Sequence, residues 1–165
     1  MKKIILLVLL LAVAGLAASK LAVGDPAPTP EALDQDGKPV EFAKLYKEGL
    51  VLVYFYPKAD TPGCTAQACS LRDAYTDLVD AGVTVIGVST DKPEAQKAFK
   101  AKYKLPFRLI PDPGQEVLRA FQVPTLVGVA NREAFLIKDG KVVWHDNHAS
   151  TKKQAQDVLA ELKRL

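Results

Sequence analysis

A continuous apolar run from Leu50 to Tyr56 leads through a loop rich in proline and glycine into a segment that carries both cysteines. An apolar run of this kind suits a strand that is covered on both faces, as in a mostly parallel sheet. After Cys64, apolar residues recur at helical spacing up to Gly82, a natural helix stop. That apolar face consists of Ala68, Leu71, Tyr75, Leu78 and Val79. The passage predicts a buried strand followed by a helix from about Cys64 to Asp80, with Cys64 in its first turn.

The rest of the chain alternates strand and helix patterns. A short helix is predicted at 41–48, before the first strand. After it the sequence predicts a strand at 83–88, a helix at 93–103, a strand at 107–110, a helix at 115–121, a hairpin at 134–144 and a last helix from Thr151 onward. Thr151 and Gln154 have the spacing of a capping box. This order predicts an α/β fold with a thioredoxin-like layout, in which helices flank a central mixed sheet and an N-terminal extension precedes it.

The first 19 residues have the composition of a targeting segment. Lys2 and Lys3 precede an apolar run over 4–14, and small residues end the segment at Ser19. This order is typical of a secretory signal peptide, and the run is shorter than the roughly 20 residues that a membrane-spanning helix needs. We therefore predict a signal peptide, or an uncleaved N-terminal anchor, at 1–19 and an exported domain at 20–165. The predicted location is periplasmic or otherwise extracytoplasmic, with membrane attachment only if the segment is uncleaved.

Composition limits the partners of this domain. The chain has 165 residues, 48% of them hydrophobic and 25% charged, which suits one globular domain with a substantial core. Its pI is near 8.8. No run of lysine and arginine interleaved with aromatic residues suggests a surface for nucleic acid, so we expect no nucleic-acid partner.

The residues before Cys64 favour a reactive cysteine over a structural one. A thiolate is the nucleophile, and both the free N–H groups of a first helical turn and a nearby cation favour that form. Thr61 can place a hydroxyl beside the sulfur, where it could hold an oxygen-bearing substrate. Pro57 and Pro62 restrict the loop and shield the sulfur from water. A disulfide that only stabilised an exported domain would need none of these features.

The spacing between Cys64 and Cys69 has a geometric consequence. Five residues along an α-helix separate two Cα atoms by roughly 8–9 Å, whereas a disulfide requires about 7 Å or less. If both cysteines lie on one intact helix, they can bond only after that turn unwinds. The pair is therefore suited to a disulfide that forms and breaks during turnover.

The segment from Tyr56 to Thr65 resembles the active site of a peroxiredoxin. Pro57, Thr61 and Cys64 meet the pattern Pro-x-x-x-Thr-x-x-Cys. A second cysteine five residues on, Cys69, is similar to the bacterioferritin comigratory protein (Prx Q) subfamily. The resemblance extends from Leu21 to Gly140 and covers most of the chain after residue 19.

The resemblance also implies site residues and a reaction. The family uses an arginine two residues before an Ala-Phe-Leu-Ile strand, and Arg132 stands in that place. The implied activity is reduction of hydrogen peroxide or an organic hydroperoxide by Cys64, which becomes a sulfenic acid. Cys69 then forms an intramolecular disulfide, and a thioredoxin-like protein reduces it. The family needs no cofactor or metal, and we expect a monomer.

The sequence departs from the family pattern in three places. Gln67 stands where the family often has glutamate, which removes one negative charge near the site. Thr29 and Pro30 replace the usual Asp-Phe of the N-terminal segment. The stretch at 121–130 is more apolar than a connecting loop should be.

Three other interpretations come from different classes of protein. A thiol–disulfide oxidoreductase of thioredoxin type would have Cys-x-x-Cys at the helix start and a cis-proline where Arg132 stands. A metal-binding module could use His145 and His148 together with the cysteines, but two histidines three residues apart lack the remaining ligands of a usual zinc site, so two surface histidines are expected. The third interpretation is a non-catalytic domain held by a permanent disulfide, which the spacing of Cys64 and Cys69 opposes.

Overall fold

The computed structural model describes residues 20–165, and the predicted targeting segment at 1–19 lies outside the described residues. Within this range, helices and strands alternate over most of the chain. The strands are β1 (Leu50–Phe55), β2 (Val83–Ser89), β3 (Arg108–Pro111), β4 (Thr125–Leu126), β5 (Val129–Ala130), β6 (Glu133–Lys138) and β7 (Lys141–Asp146). The helices are α1 (Phe42–Glu48), α2 (Pro62–Asp73), α3 (Tyr75–Asp80), α4 (Pro93–Tyr103), α5 (Glu116–Ala120) and α6 (Gln154–Leu162). None of these helices has the length and apolar composition that crossing a membrane requires.

Five strands form one mixed sheet in the order β3-β2-β1-β6-β7. Strands β1, β2 and β3 are parallel, whereas β6 pairs antiparallel with both β1 and β7. The apolar run that begins at Leu50 forms the central strand β1, which is buried along nearly its whole length. The predicted mixed sheet flanked by helices is confirmed.

Side chains that alternate along β1 supply two separate cores. Val51, Val53 and Phe55 pack with α1 and α5 on one face of the sheet. Leu52 and Tyr54 pack on the other face, against α2, α3, α4 and α6, and Cys64 belongs to that second core. Because successive strand residues point to opposite faces, a continuous apolar run is what a strand covered on both sides needs.

The helix predicted from Cys64 to Asp80 is wrong in one respect, because it breaks at Ala74. That residue has φ −98° and ψ 15°, which separates α2 from α3. The break changes the face that follows it: Leu71 and Leu78 are fully buried, whereas Val79 is 48% exposed and does not join the predicted apolar face. Neither glycine nor proline occurs at the break, so the sequence carries no signal for it.

The capping box predicted at the last helix is also wrong. Helix α6 begins at Gln154, and Lys153 stands at its N-cap without a side-chain cap. The backbone N–H groups of Lys152 and Lys153 donate instead to Ser150 Oγ, at 3.3 and 3.0 Å. The Gln154 side chain turns inward and is fully buried. A long-range contact has displaced the local one that the spacing suggested.

Two segments that depart from the family pattern have regular backbone pairing. The N-terminal extension lies along β7, where Gly24 N–H donates to the Val142 carbonyl at 2.8 Å and Val142 N–H donates to the Asp25 carbonyl at 3.0 Å. The apolar stretch at 121–130 contains the short hairpin β4–β5, whose two turn residues are Val127 and Gly128. Val127 is 95% exposed there, with φ +50°.

A substitution at Val127 should stabilise the fold. A β-branched residue is unfavourable at positive φ, whereas asparagine tolerates that conformation in two-residue hairpin turns. We expect Val127→Asn to raise the free energy of unfolding by about 1 kcal/mol, measured by urea denaturation. Leu126→Asn removes a similar exposed side chain without the positive φ and should give no gain. Unchanged stability of the Val127 variant would show that the turn carries no strain.

Candidate active site

One edge of the sheet brings together the two segments that carry the predicted site. Phe55 at the end of β1 pairs with Glu133 at the start of β6. The loop that leaves β1 therefore starts beside Arg132, which directly precedes β6. Because the two strands are antiparallel, residues distant in sequence meet where β1 ends and β6 begins.

Cys64 lies in the first turn of α2, as predicted, and only 1% of its surface is exposed. Thr61 is the N-cap in an extended conformation, Pro62 follows it, and Thr65 N–H makes the first helical hydrogen bond to the Thr61 carbonyl at 2.8 Å. The N–H groups of Gly63 and Cys64 therefore precede the first intrahelical bond, and such groups favour an anion. The proline fits here because its missing N–H would have had no helical partner.

Arg132 contacts the sulfur directly. Its Nη2 donates to Cys64 Sγ at 3.4 Å, and its Nη1 donates to Gln67 Oε1. Gly63 lets the guanidinium approach: a methyl group at that position would lie 3.3 Å from Arg132 Nη2 and 3.3 Å from the Thr151 methyl. A fixed positive charge that donates to sulfur favours the thiolate.

Thr61 and Pro57 lie in the loop between β1 and α2. The Thr61 hydroxyl donates to the Lys58 carbonyl at 2.9 Å, one turn before Cys64. With its proton fixed in this direction, the hydroxyl oxygen keeps its lone pairs for another donor. Pro57 is partly buried at the bend that directly follows β1 and Tyr56.

Residues of the neighbouring elements anchor this loop. Asp91 accepts the Ala59 N–H at 2.7 Å. Asp60, which has φ +58°, accepts hydrogen bonds from Lys102 Nζ and from the Tyr103 hydroxyl. These bonds hold the pKa of Asp60 below its ordinary value. The geometry of the loop between β1 and α2 therefore depends on α4 and on the residues that follow β2, as well as on the prolines of the loop itself.

Two stacked tyrosines lie in the same core as Cys64. The ring centroids of Tyr54 and Tyr56 are 5.4 Å apart, and both side chains are fully buried. Burial raises the pKa of both hydroxyls, and for Tyr54 the nearby Tyr56, Cys64 and Cys69 add to that rise. Both tyrosines are therefore neutral at physiological pH, which leaves Arg132 as the charged group that contacts the sulfur within residues 20–165.

Cys69 lies on α2 together with Cys64, and both thiols are free. Cys69 is partly exposed, whereas Cys64 is buried. The helix is intact across both residues, so their Cα atoms are roughly 8–9 Å apart and no disulfide can form without unwinding. The predicted helical placement of the pair is confirmed.

His145 and His148 differ in their surroundings. Residues 20–165 contain no group of three or more His, Cys, Asp or Glu side chains placed to hold a metal ion. His148 is exposed, as expected. The expectation of a surface histidine is wrong for His145, whose ring stacks on Phe135 at 4.1 Å and whose Nε2 lies 2.7 Å from Glu133 Oε2.

Two glutamines at the site were not predicted from their sequence positions. In the sequence, Gln67 was identified only as a departure from the family pattern, and Gln154 was assigned to a helix cap. Both are fully buried, and Gln67 Nε2 donates to Gln154 Oε1 at 2.7 Å. They are 87 residues apart, so no local spacing could have indicated the contact.

Comparison with known proteins agrees with this geometry. The sequence model of the AhpC/TSA family matches residues 23–145 of the chain. The chain belongs to the AhpC/TSA family. It is a thiol-dependent peroxidase of the peroxiredoxin type, and the alternative of a thioredoxin-type oxidoreductase is not favoured.

Relatives and solved structures agree on the Prx Q subfamily. The chain is 40% identical over 151 residues to the chloroplastic peroxiredoxin Q of Sedum lineare, covering 89% of this chain and 81% of that protein. The crystal structure of peroxidoxin BcpB from Mycobacterium tuberculosis superimposes with a TM-score of 0.81 at 31% identity, covering 88% of this chain and 98% of that one. For peroxiredoxin Q of Xanthomonas campestris the TM-score is 0.78 at 27% identity, covering 87% and 96%.

The comparison corrects the predicted location. The curated relatives from Sedum lineare and from Arabidopsis thaliana are named chloroplastic proteins, so the predicted export to the periplasm or another extracytoplasmic space is wrong. The order of basic, apolar and small residues at 1–19 identified a targeting pattern, but such a pattern does not by itself fix the destination.

Gly63 offers a test of how closely Arg132 must approach the sulfur. We expect Gly63→Ala to slow oxidation of Cys64 by peroxide by about tenfold, because the added methyl displaces the guanidinium by a few tenths of an ångström. The fold should not be destabilised, since alanine is the better helix former. Rapid mixing with hydrogen peroxide measures the rate constant.

The same substitution in an Arg132→Lys protein shows whether the methyl group added at position 63 acts through the arginine. In Arg132→Lys the guanidinium is absent, so adding Gly63→Ala should cost little more. A Gly63→Ala protein that reacts at the wild-type rate would mean that the 3.3 Å contact does not constrain Arg132.

Proposed function

We propose that Cys64 is the peroxidatic cysteine of this peroxidase, that Cys69 resolves its sulfenic acid, and that Arg132, Thr61 and Pro57 form the rest of the site. The observation that carries the proposal is the contact of Arg132 Nη2 with Cys64 Sγ at 3.4 Å, in the first turn of α2. The substrate is hydrogen peroxide or an organic hydroperoxide. The catalytic domain comprises residues 20–165.

In the first step the Cys64 thiolate attacks one oxygen of the hydroperoxide. A sulfur–oxygen bond forms, the O–O bond breaks, and water or an alcohol leaves after taking up a proton. Negative charge moves from sulfur to the two oxygens during this step. Arg132 and the free N–H groups of the first turn of α2 provide fixed donors for that charge, which is where electrostatic catalysis is most effective.

Thr61 and Pro57 support the peroxide from the loop. The Thr61 hydroxyl donates to the Lys58 carbonyl, so its oxygen can accept a hydrogen bond from the hydroperoxide O–H. That bond orients the oxygen that is attacked. Pro57 fixes the bend after β1 and helps to keep water from the sulfur, so that the thiolate is only weakly solvated.

In the second step the first turns of α2 unwind and Cys69 attacks the Cys64 sulfenic acid. The sulfur–sulfur bond forms and water leaves. Both cysteines are on one intact helix in the structure, so the resting enzyme holds them apart until oxidation has occurred. A dithiol protein of the thioredoxin type then reduces the Cys64–Cys69 disulfide. It supplies two electrons and two protons and is itself oxidised to a disulfide. One chain suffices for the cycle, because both sulfurs lie on it, and we propose that the enzyme acts as a monomer.

Serine variants test these assignments. Cys69→Ser should oxidise at Cys64 at a near-normal rate, but it should fail to recycle with a dithiol protein and should over-oxidise more readily, because nothing intercepts the sulfenic acid. Single-turnover mixing and mass analysis of Cys64 measure both results. Cys64→Ser is the matched control and should lose peroxide reduction entirely. Near-native turnover in Cys64→Ser, or an intramolecular disulfide in Cys69→Ser, would contradict the assignments.

Hydrogen exchange tests the unwinding of α2. The disulfide form should show faster amide exchange between Thr65 and Arg72 than the reduced form, because those helical hydrogen bonds must open. Helix α3, with the buried Leu78, should exchange equally slowly in both forms and serves as the internal control. Equal protection of Thr65 to Arg72 in the two redox states would mean that the disulfide forms without unwinding.

A further inference from the structure

The side-chain amides of Gln67 and Gln154 connect the arginine of the site to α6. Gln67 Oε1 accepts from Arg132 Nη1, and Gln67 Nε2 donates to Gln154 Oε1 at 2.7 Å. Both glutamine side chains are fully buried, so water cannot replace either partner without a rearrangement. A polar chain enclosed in this way is costly unless its members satisfy one another.

The chemistry of arginine fixes the direction of every bond in this chain. A guanidinium can only donate, so Gln67 must turn its oxygen to Arg132. The amino group of Gln67 then faces Gln154, whose side-chain oxygen must accept the hydrogen bond. This orientation leaves Gln154 Nε2 buried with no hydrogen-bond partner within residues 20–165. A buried donor without a partner costs about 1–3 kcal/mol in general. In this arrangement both ends of the Gln67 amide are hydrogen-bonded, and the unpaired donor is on Gln154.

The segment before α6 also contacts the backbone of Arg132 and lies beside Gly63. Ala149 N–H donates to the Arg132 carbonyl at 3.2 Å, and the Thr151 methyl lies against the position of Gly63. Helix α6 is attached to α2 by a second bond, from Ala155 N–H to Ser70 Oγ at 3.2 Å. Helix α6 is thus placed to hold both the arginine and the helix that carries the sulfur.

We propose that Gln154 is a positioning residue, which acts through Gln67 to hold Arg132 against Cys64. The inference rests on the proposed role of Cys64 and Arg132 in peroxide reduction. Gln154 does not touch the sulfur. It fixes the amide of Gln67, and Gln67 then restricts the guanidinium to the orientation in which Nη2 reaches Sγ.

The first test is the rate at which peroxide oxidises Cys64. We expect Gln154→Leu to lower the second-order rate constant about tenfold, the effect expected when one hydrogen bond that orients a charged group is lost. Gln154→Glu keeps an acceptor for Gln67 Nε2 and replaces the amino group that has no partner by a second carboxyl oxygen, so it should recover most of the rate that Gln154→Leu loses.

Two controls separate positioning from packing. Ser70→Ala removes the other bond between α2 and α6 and should lower stability while leaving the rate constant unchanged. Gln156→Leu makes the same change at an exposed position of α6 and should alter neither quantity. A loss of rate in Ser70→Ala equal to that in Gln154→Leu would overturn the proposal, since loosened packing would then explain both.

A double-mutant cycle tests the route through Gln67. Gln67→Leu should slow oxidation of Cys64 at least as much as Gln154→Leu, and combining the two should cost nothing further. Losses that multiply in the double variant would overturn the proposal, because Gln154 would then act independently of Gln67. A wild-type rate in Gln154→Leu would also overturn it. The proposed function is tested separately by Cys64→Ser. If that variant is inactive in the same assay, the proposed function stands even where the proposed role of Gln154 is overturned.

Discussion

The contact between Arg132 and the Cys64 sulfur depends on the pairing of β1 with β6. Phe55 and Glu133 are partners in that antiparallel pair, so the loop toward α2 and the residue before β6 meet at one edge of the sheet. A slip of one residue would turn Arg132 to the opposite face, because side chains alternate along a strand. The two cores that flank the sheet make such a slip costly, since it would move Phe135 and Leu136 of β6 into the wrong layers. The packing of the sheet thereby fixes the position of the charge.

Helix α2 has to satisfy two opposing requirements. Its first turn must be formed so that Cys64 lies among free N–H groups, yet the same region must open before Cys69 can bond to it. Both kinds of residue lie in the same turns: Ala68 and Leu71 are fully buried, whereas Thr65, Ala66 and Cys69 are only partly buried. Opening these turns therefore costs the burial of the first two side chains, and the partly buried positions keep that cost lower than it would be for a helix buried all round. The break at Ala74 then separates α3 from any unwinding of α2.

Much of this site could be predicted from local sequence. The apolar run of β1, Pro62 before Cys64 and the spacing to Cys69 are short-range signals, and each has a direct physical meaning. Arg132 required the family resemblance, because a lone arginine before a strand has no local signature. Gln154 was assigned to a cap that the structure does not contain, since its real partner is 87 residues away. The break at Ala74 and the burial of His145 also depend on tertiary packing, which overrides weak local preferences.

The position of Gln67 links the two halves of the cycle. It lies between Cys64 and Cys69, so the turns that must unwind for the disulfide are the same turns that hold the Gln67 amide between Arg132 and Gln154. Unwinding therefore withdraws from Arg132 the partner that orients it. In the proposed cycle the disulfide would thus block the sulfur and also leave the arginine without its fixed acceptor, so the proposed peroxide site would be lost. Reduction would let α2 re-form, and the return of Gln67 to its buried position would restore the charge and the nucleophile together.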